Sequence, residues 1–227
     1  MTKGLLLVHG AWHNGAGFDA LVAELAKHDI AATTVELTSV GHEDAPLGDL
    51  SSDAALVREV VATLGDDVAV LGHSYGGVVI TEALAGVDNV SHLIYLTAFM
   101  LDEGESLYAA CGSVDPEWWV RSPDDQRLST ATPDDVFYNT CEPSVAAQAV
   151  DALRWQSVAS FMNPVTQVAW REVPSTYIVC ELDQAIPVFA QEAMSQRAGT
   201  VVRMSSDHSP FLCQPAALAD VIAAALR

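Results

Sequence analysis

The residue of this chain best placed to act as a nucleophile is Ser74. It stands in Gly72-His73-Ser74-Tyr75-Gly76, a GxSxG pentapeptide that follows the apolar run 68–71 and leads into a helix-like segment through Leu84. Strand, sharp turn and helix in that order make a nucleophile elbow, in which the hydroxyl stands clear of the sheet and the flanking glycines let the backbones approach. The positive end of the helix dipole lies beneath it. A serine hydroxyl is a weak nucleophile near neutral pH, so a base must lie within reach and a third group must orient that base. Of the seven histidines, His208 in Ser205-Ser206-Asp207-His208-Ser209-Pro210 follows the last expected strand and precedes the C-terminal helix, where a loop can carry an imidazole to the elbow.

The chain order serine, acid, histidine asks for a carboxylate before His208. Asp183 lies just past an expected strand and fits. Glu181 and Asp102 are competitors, and Asp207 reads as a loop-capping residue. Acyl transfer also needs donors aimed at the developing oxyanion. The Tyr75 amide follows the nucleophile, and the second donor is expected from Ala11 in His9-Gly10-Ala11-Trp12, with His9 fixing that loop by hydrogen bonds. His73 is expected to pack beneath the elbow. No HExxH or comparable metal spacing and no GxGxxG fingerprint occurs, so neither metal nor cofactor is expected.

These groups need a scaffold, and the pattern supplies one. Apolar, β-branched runs at 4–8, 30–37, 68–72, 90–97, 175–180 and 200–204 alternate with helical spacing at 18–28, about 51–64, 188–197 and 215–227, with Ser51 or Ser52 as the expected cap of the second helix. Alternation of this kind predicts an α/β fold, a six-stranded, mostly parallel sheet flanked by helices. The interval 99–173 breaks the rhythm with Pro, Asp and aromatic residues, and reads as a helical cap inserted between core parts 1–98 and 174–227. Such an insertion lies over the carboxyl ends of the strands. Trp118, Trp119, Trp155, Phe161 and Met162 from the cap, with Trp12 from the core and Phe99 and Met100 just past the fourth strand, are candidates to line an apolar pocket.

With 227 residues, half of them apolar, the chain can bury one large core. Its formal charge of -20, from 30 acidic and 10 basic residues, opposes binding to nucleic acid or to an anionic membrane. No apolar run approaches the roughly 20 residues of a membrane span, and the start Met1-Thr2-Lys3-Gly4 enters the first strand directly; a cytoplasmic protein is expected. The four cysteines form no metal-ligand cluster. Reduced, partly buried thiols are expected, with a Cys111–Cys141 disulfide as the alternative. A small-molecule substrate is the expected partner, and a homodimer stays open.

Val8-His9-Gly10-Ala11-Trp12-His13, Gly72-His73-Ser74-Tyr75-Gly76-Gly77, Asp183-Gln184-Ala185-Ile186-Pro187 and Asp207-His208-Ser209-Pro210 together resemble the α/β-hydrolase fold, and more narrowly its compact branch of plant methylesterases, hydroxynitrile lyases and bacterial esterase relatives. The resemblance spans almost the whole chain and implies a Ser74, Asp183, His208 triad with a carboxylic ester as substrate. Lyase members of that branch carry a threonine after the first-strand histidine and a lysine after the catalytic one; Gly10 and Ser209 stand there in this chain. Hydrolysis of small hydrophobic or aromatic esters is therefore expected, with a carbon–carbon lyase or a slow ligand-binding receptor as alternatives. Lactone or thioester chemistry would use the same groups.

Overall fold

The computed structural model describes residues 3–227, so Met1 and Thr2 lie outside the described residues. In chain order the strands are β1 (Lys3–Val8), β2 (Ile30–Val35), β3 (Val40–Gly41), β4 (Val68–His73), β5 (Val90–Leu96), β6 (Trp119–Arg121), β7 (Arg127–Thr130), β8 (Trp155–Ser157), β9 (Ser175–Cys180) and β10 (Thr200–Met204). The α-helices are α1 (Asp19–Ala26), α2 (Leu50–Ala62), α3 (Gly76–Ala83), α4 (Leu107–Ala110), α5 (Pro133–Phe137), α6 (Pro143–Asp151), α7 (Val158–Met162), α8 (Val188–Ser195), α9 (Pro210–Cys213) and α10 (Pro215–Ala225).

Six strands form one sheet in the order β10-β9-β5-β4-β1-β2, and every pairing in it is parallel. Residues alternate between its two faces along each strand. Leu5, Leu7, Ala69, Leu71, Ile94 and Leu96 meet Leu21 and Leu25 of α1 and Leu218 and Ile222 of α10 on one face. Leu6, Val8, Val68, Val70, Leu93 and Tyr95 meet Val57 and Val61 of α2 and the Val78–Ile80 stretch of α3 on the other. Burial on both sides explains why β4 reads as an unbroken apolar run rather than an alternating one. The chain runs from β1 out to β2 and returns to place β4 on the other side of β1, so the crevice where strand order reverses opens between the ends of β1 and β4.

Two local readings change. Helix α2 is capped by Asp49 rather than Ser51 or Ser52: Asp49 Oδ1 accepts the Ser52 amide at 3.0 Å, and Ser52 Oγ accepts the Asp49 amide at 2.8 Å. This capping box starts the helix at Leu50. The cap, which joins β5 to β9, also holds more than helices. Its strands β6, β7 and β8 form an antiparallel ribbon that β3 of the core extends, giving the order β3-β8-β7-β6. Strands of three or four residues are too short for alternation to show in sequence. Ion pairs Arg154–Glu36 at 3.0 Å and Arg197–Glu105 at 2.8 Å tie cap to core.

Candidate active site

Ser74 has φ 54°, the left-handed conformation that a strand-to-helix corner requires. The corner is tight enough to need its glycines. A Cβ on Gly72 would lie 2.5 Å from the Gly76 carbonyl oxygen, and one on Gly77 would lie 2.7 Å from that of Phe99. Gly10 is equally constrained, because a Cβ there would stand 2.8 Å from Ser74 Cβ and 2.9 Å from His73 Nδ1. The first-strand loop is thus packed directly against the elbow.

The loops after β9 and β10, neighbouring strands in the sheet, carry Asp183 and His208. His208 Nδ1 lies 2.7 Å from Asp183 Oδ2, with both side chains almost fully buried. Asp183 is held from all sides: Oδ1 accepts the amides of Ala185 at 2.6 Å and Ile186 at 3.0 Å, and Oδ2 accepts the Thr97 hydroxyl and, at 3.3 Å, the Gln191 side-chain amide. His73 Nε2 donates to the His208 carbonyl at 2.8 Å, so the elbow itself grips the backbone of the histidine loop. Ser74 and His208 face one narrow cavity of about 30 Å³ that Ala11 and Tyr75 also line. Among the described residues neither the Ala11 nor the Tyr75 amide has an acceptor within the chain.

Two buried histidines clamp the peptides on either side of Ala11. His9 Nε2 accepts the Leu37 amide at 3.1 Å, which leaves Nδ1 protonated to donate to the Gly10 carbonyl at 2.9 Å. That carbonyl belongs to the peptide whose N–H is the Ala11 amide, so His9 points the amide the opposite way. His13 Nδ1 donates to the Ala11 carbonyl at 2.7 Å, and Gln156 Oε1 accepts the Trp12 amide at 3.3 Å. Trp12 itself has φ 63°. Burial keeps these histidines neutral: His13 is pushed down to about 3, while His9 and His73 are lowered by the same loss of hydration. Beneath the elbow the Tyr75 hydroxyl donates at 2.9 Å to the buried Asp53 carboxylate.

Of the residues expected to form the pocket, Trp12, Phe99, Trp118, Trp119 and Phe161 line the cavity with Ser74 and His208. Three do not. Met100 is fully buried in the core behind it, and Met162 points outward at 48% exposure. Trp155 lies on β8 over a separate hollow lined by Glu43, Pro123 and Arg127. Their apolar character marked them as candidates, but the face that Trp155 and Met162 present is set by β8 and by the short turn of α7. Leu107, Cys111, Phe137 and Ile186 line the cavity and were not singled out. Phe137 stands out among them: its ring lies tilted 5.5 Å from that of His208 and 5.8 Å from that of Trp12. Its place next to Tyr138 in an aromatic pair was the signal available.

The cysteines also differ from expectation. Cys141 of the cap is joined to Cys213, at the end of α9 and 72 residues away, with Cα atoms 4.7 Å apart; Cys111 and Cys180 are free. Folding brings α9 under the cap, a proximity that no spacing along the chain encodes. Among the described residues, Cys141, Asp207 and Cys213 are the one group with three clustered metal-donor atoms, and the disulfide occupies two of them.

A doubly wound parallel sheet with a strained serine at the end of its central strand β4, and an acid and a histidine past the ends of β9 and β10, defines an α/β-hydrolase. The chain belongs to the alpha/beta hydrolase family, whose sequence profile matches residues 5–221. It is 31% identical to an α/β hydrolase of Aspergillus novofumigatus over 95% of this chain and 93% of that one. It is 26% identical to methylesterase 1 of Arabidopsis thaliana over 95% of this chain and 92% of that one. Its fold superposes on a pyrethroid hydrolase from Sphingobium faniae with a TM-score of 0.83 at 23% identity, covering 100% of this chain and 98% of that one.

Proposed function

We propose that the protein is a carboxylic ester hydrolase that works through an acyl-enzyme on Ser74. The observation that carries this reading is the buried His208–Asp183 pair opening onto the same cavity as Ser74 and the two unpaired amides. Its similarity to a plant methylesterase supports ester cleavage as well.

Ser74 Oγ attacks the ester carbonyl carbon as His208 Nε2 takes its proton. Asp183 holds the Nδ1–H tautomer and stabilises the imidazolium that forms. The carbonyl oxygen gains negative charge and receives the amides of Ala11 and Tyr75. As the tetrahedral species collapses, His208 returns the proton to the leaving alcohol. Water then attacks the acyl carbon as His208 takes its proton, and His208 passes that proton to Ser74 Oγ as the Ser74–acyl bond breaks and the acid leaves. The narrow aromatic cavity suits small hydrophobic or aromatic esters.

The lyase reading loses support at Gly10, where any side chain would collide with Ser74 Cβ, and at the buried Ser209, where a cation would be needed to receive cyanide. The test is turnover of short-chain p-nitrophenyl esters by the native protein and by Ser74→Ala. Loss of about 10³-fold or more in the variant is expected for a triad nucleophile. Equal, slow rates in both would remove the esterase reading in favour of a binding protein, and cyanide release from mandelonitrile would favour the lyase.

A further inference from the structure

Four consecutive residues of the cap, Tyr138 to Cys141, contact all three loops that build the site. The Tyr138 hydroxyl lies 3.0 Å from His13 Nε2. Because His13 Nδ1 faces the Ala11 carbonyl and must carry the proton there, Nε2 is an acceptor and Tyr138 is the donor. A relay therefore runs from the cap through His13 to the oxyanion loop. Asn139 Nδ2 donates at 3.2 Å to the carbonyl of Leu182, the residue before Asp183. The Thr140 amide donates at 2.9 Å to Oδ2 of Asp207, the residue before His208, and Asp207 Oδ1 accepts the Ser209 amide at 3.0 Å. Cys141 is bonded to Cys213 of α9, the helix that begins at Pro210 just after the histidine.

The oxyanion amide, the acid and the base leave the sheet on the separate strands β1, β9 and β10, and contacts made by the cap add to those through the elbow in fixing them relative to one another. We propose that Tyr138–Cys141 is the positioning segment of this site: through His13, Tyr138 fixes the Ala11–Trp12 peptide and so seats Ala11 from the side opposite the peptide that His9 holds, and the Cys141–Cys213 disulfide holds the segment against the histidine loop, so that full activity requires the bond to be closed. This rests on the ester-hydrolase reading above. Tyr138 and Cys141 act through other residues and do not touch the reacting atoms. The effect falls on the transition state, where the oxyanion charge develops, rather than on substrate binding. Deleting an oxyanion donor costs about 10²–10³ in kcat, so misaiming one costs about tenfold.

The experiment compares kcat and KM for p-nitrophenyl acetate in the native protein, Tyr138→Phe, Cys141→Ser and Ser74→Ala, each with and without dithiothreitol, alongside melting temperatures. The dithiol passes two electrons and two protons to the cysteine sulfurs and closes to its own cyclic disulfide. Tyr138→Phe is expected to lower kcat about tenfold with KM within twofold and the protein still fully folded at the assay temperature. Reduction is expected to lower kcat of the native protein reversibly, and to leave Cys141→Ser, already slow, unchanged. Native kcat in Tyr138→Phe and Cys141→Ser overturns the proposal while leaving the esterase reading intact. Loss of kcat only in proportion to the unfolded fraction also overturns it, as that is a purely structural role. A native protein no faster than Ser74→Ala removes both readings together, and is told apart from the first outcome by that comparison.

Discussion

His208 Nδ1 and Asp183 Oδ2 lie 2.7 Å apart in a site from which water is almost excluded, and the carboxylate is pinned by Thr97, Gln191 and two backbone amides. The acid is therefore rigid before substrate arrives. As the acceptor of His208 Nδ1–H it sets the tautomer of the neutral imidazole, leaving Nε2 without a proton. Asp183→Asn keeps the shape and presents a donor where an acceptor is needed. We expect kcat for an activated ester to fall by about 10⁴, with KM little changed. A loss below tenfold would reassign the acid, with Glu181 next to be tested.

His9, His13 and His73 are buried and neutral, with His13 pushed down to about 3 and the other two lowered in the same sense. In the unfolded chain each takes up a proton near pH 6.5, the ordinary histidine value. Below that pH the unfolded state binds more protons than the native one, so stability is complete above pH 6.5 and falls as the solution is acidified. Each such histidine contributes up to about 1.4 kcal/mol per pH unit until it protonates in the folded state. Urea midpoints measured from pH 8 to 4.5 should drop steeply below pH 6.5. His13→Gln should flatten that slope. A midpoint constant down to pH 5 would contradict the buried neutral state.

Phe99 separates the cavity at Ser74 from a larger hollow of about 470 Å³ lined by Leu101, Ala109, Phe189 and Met194. Phe99→Ala should join the two and admit longer acyl chains. Each newly buried methylene adds about 0.8 kcal/mol, close to fourfold. The ratio of kcat/KM for p-nitrophenyl octanoate over acetate should therefore rise tenfold or more in the variant. An unchanged ratio would mean that long chains leave the site in another direction.

Gly10 sits where a Cβ would stand 2.8 Å from Ser74 Cβ. Gly10→Ala should cost about 1–3 kcal/mol as the overpacked loop and elbow move apart, together with a large loss of kcat because both Ser74 and the Ala11 amide shift. Urea denaturation and ester kinetics on the same preparation would show both. Stability and turnover at native levels would mean that the loop after β1 is less tightly seated than its packing indicates.

Much of this protein is legible in its sequence because local physics carries it. Unbroken apolar runs separated by helical spacing could only be parallel strands covered on both faces, and Gly72, Gly76 and Gly77 around Ser74 announced a turn that no larger residues could make. Chain order alone then placed Asp183 and His208 at the ends of the strands that follow. What the sequence could not determine depends on contacts between segments far apart along it. Cys213 meets Cys141 rather than remaining a thiol, Phe137 rather than Trp155 lines the cavity, and Met100 and Met162 do not line it. The ribbon β6–β8 sets where Trp119 and Trp155 lie. Its short strands carry little local pattern, and the energy that orients them comes from burying aromatic side chains against Trp12 and the elbow, a tertiary term with no periodicity for a sequence to display.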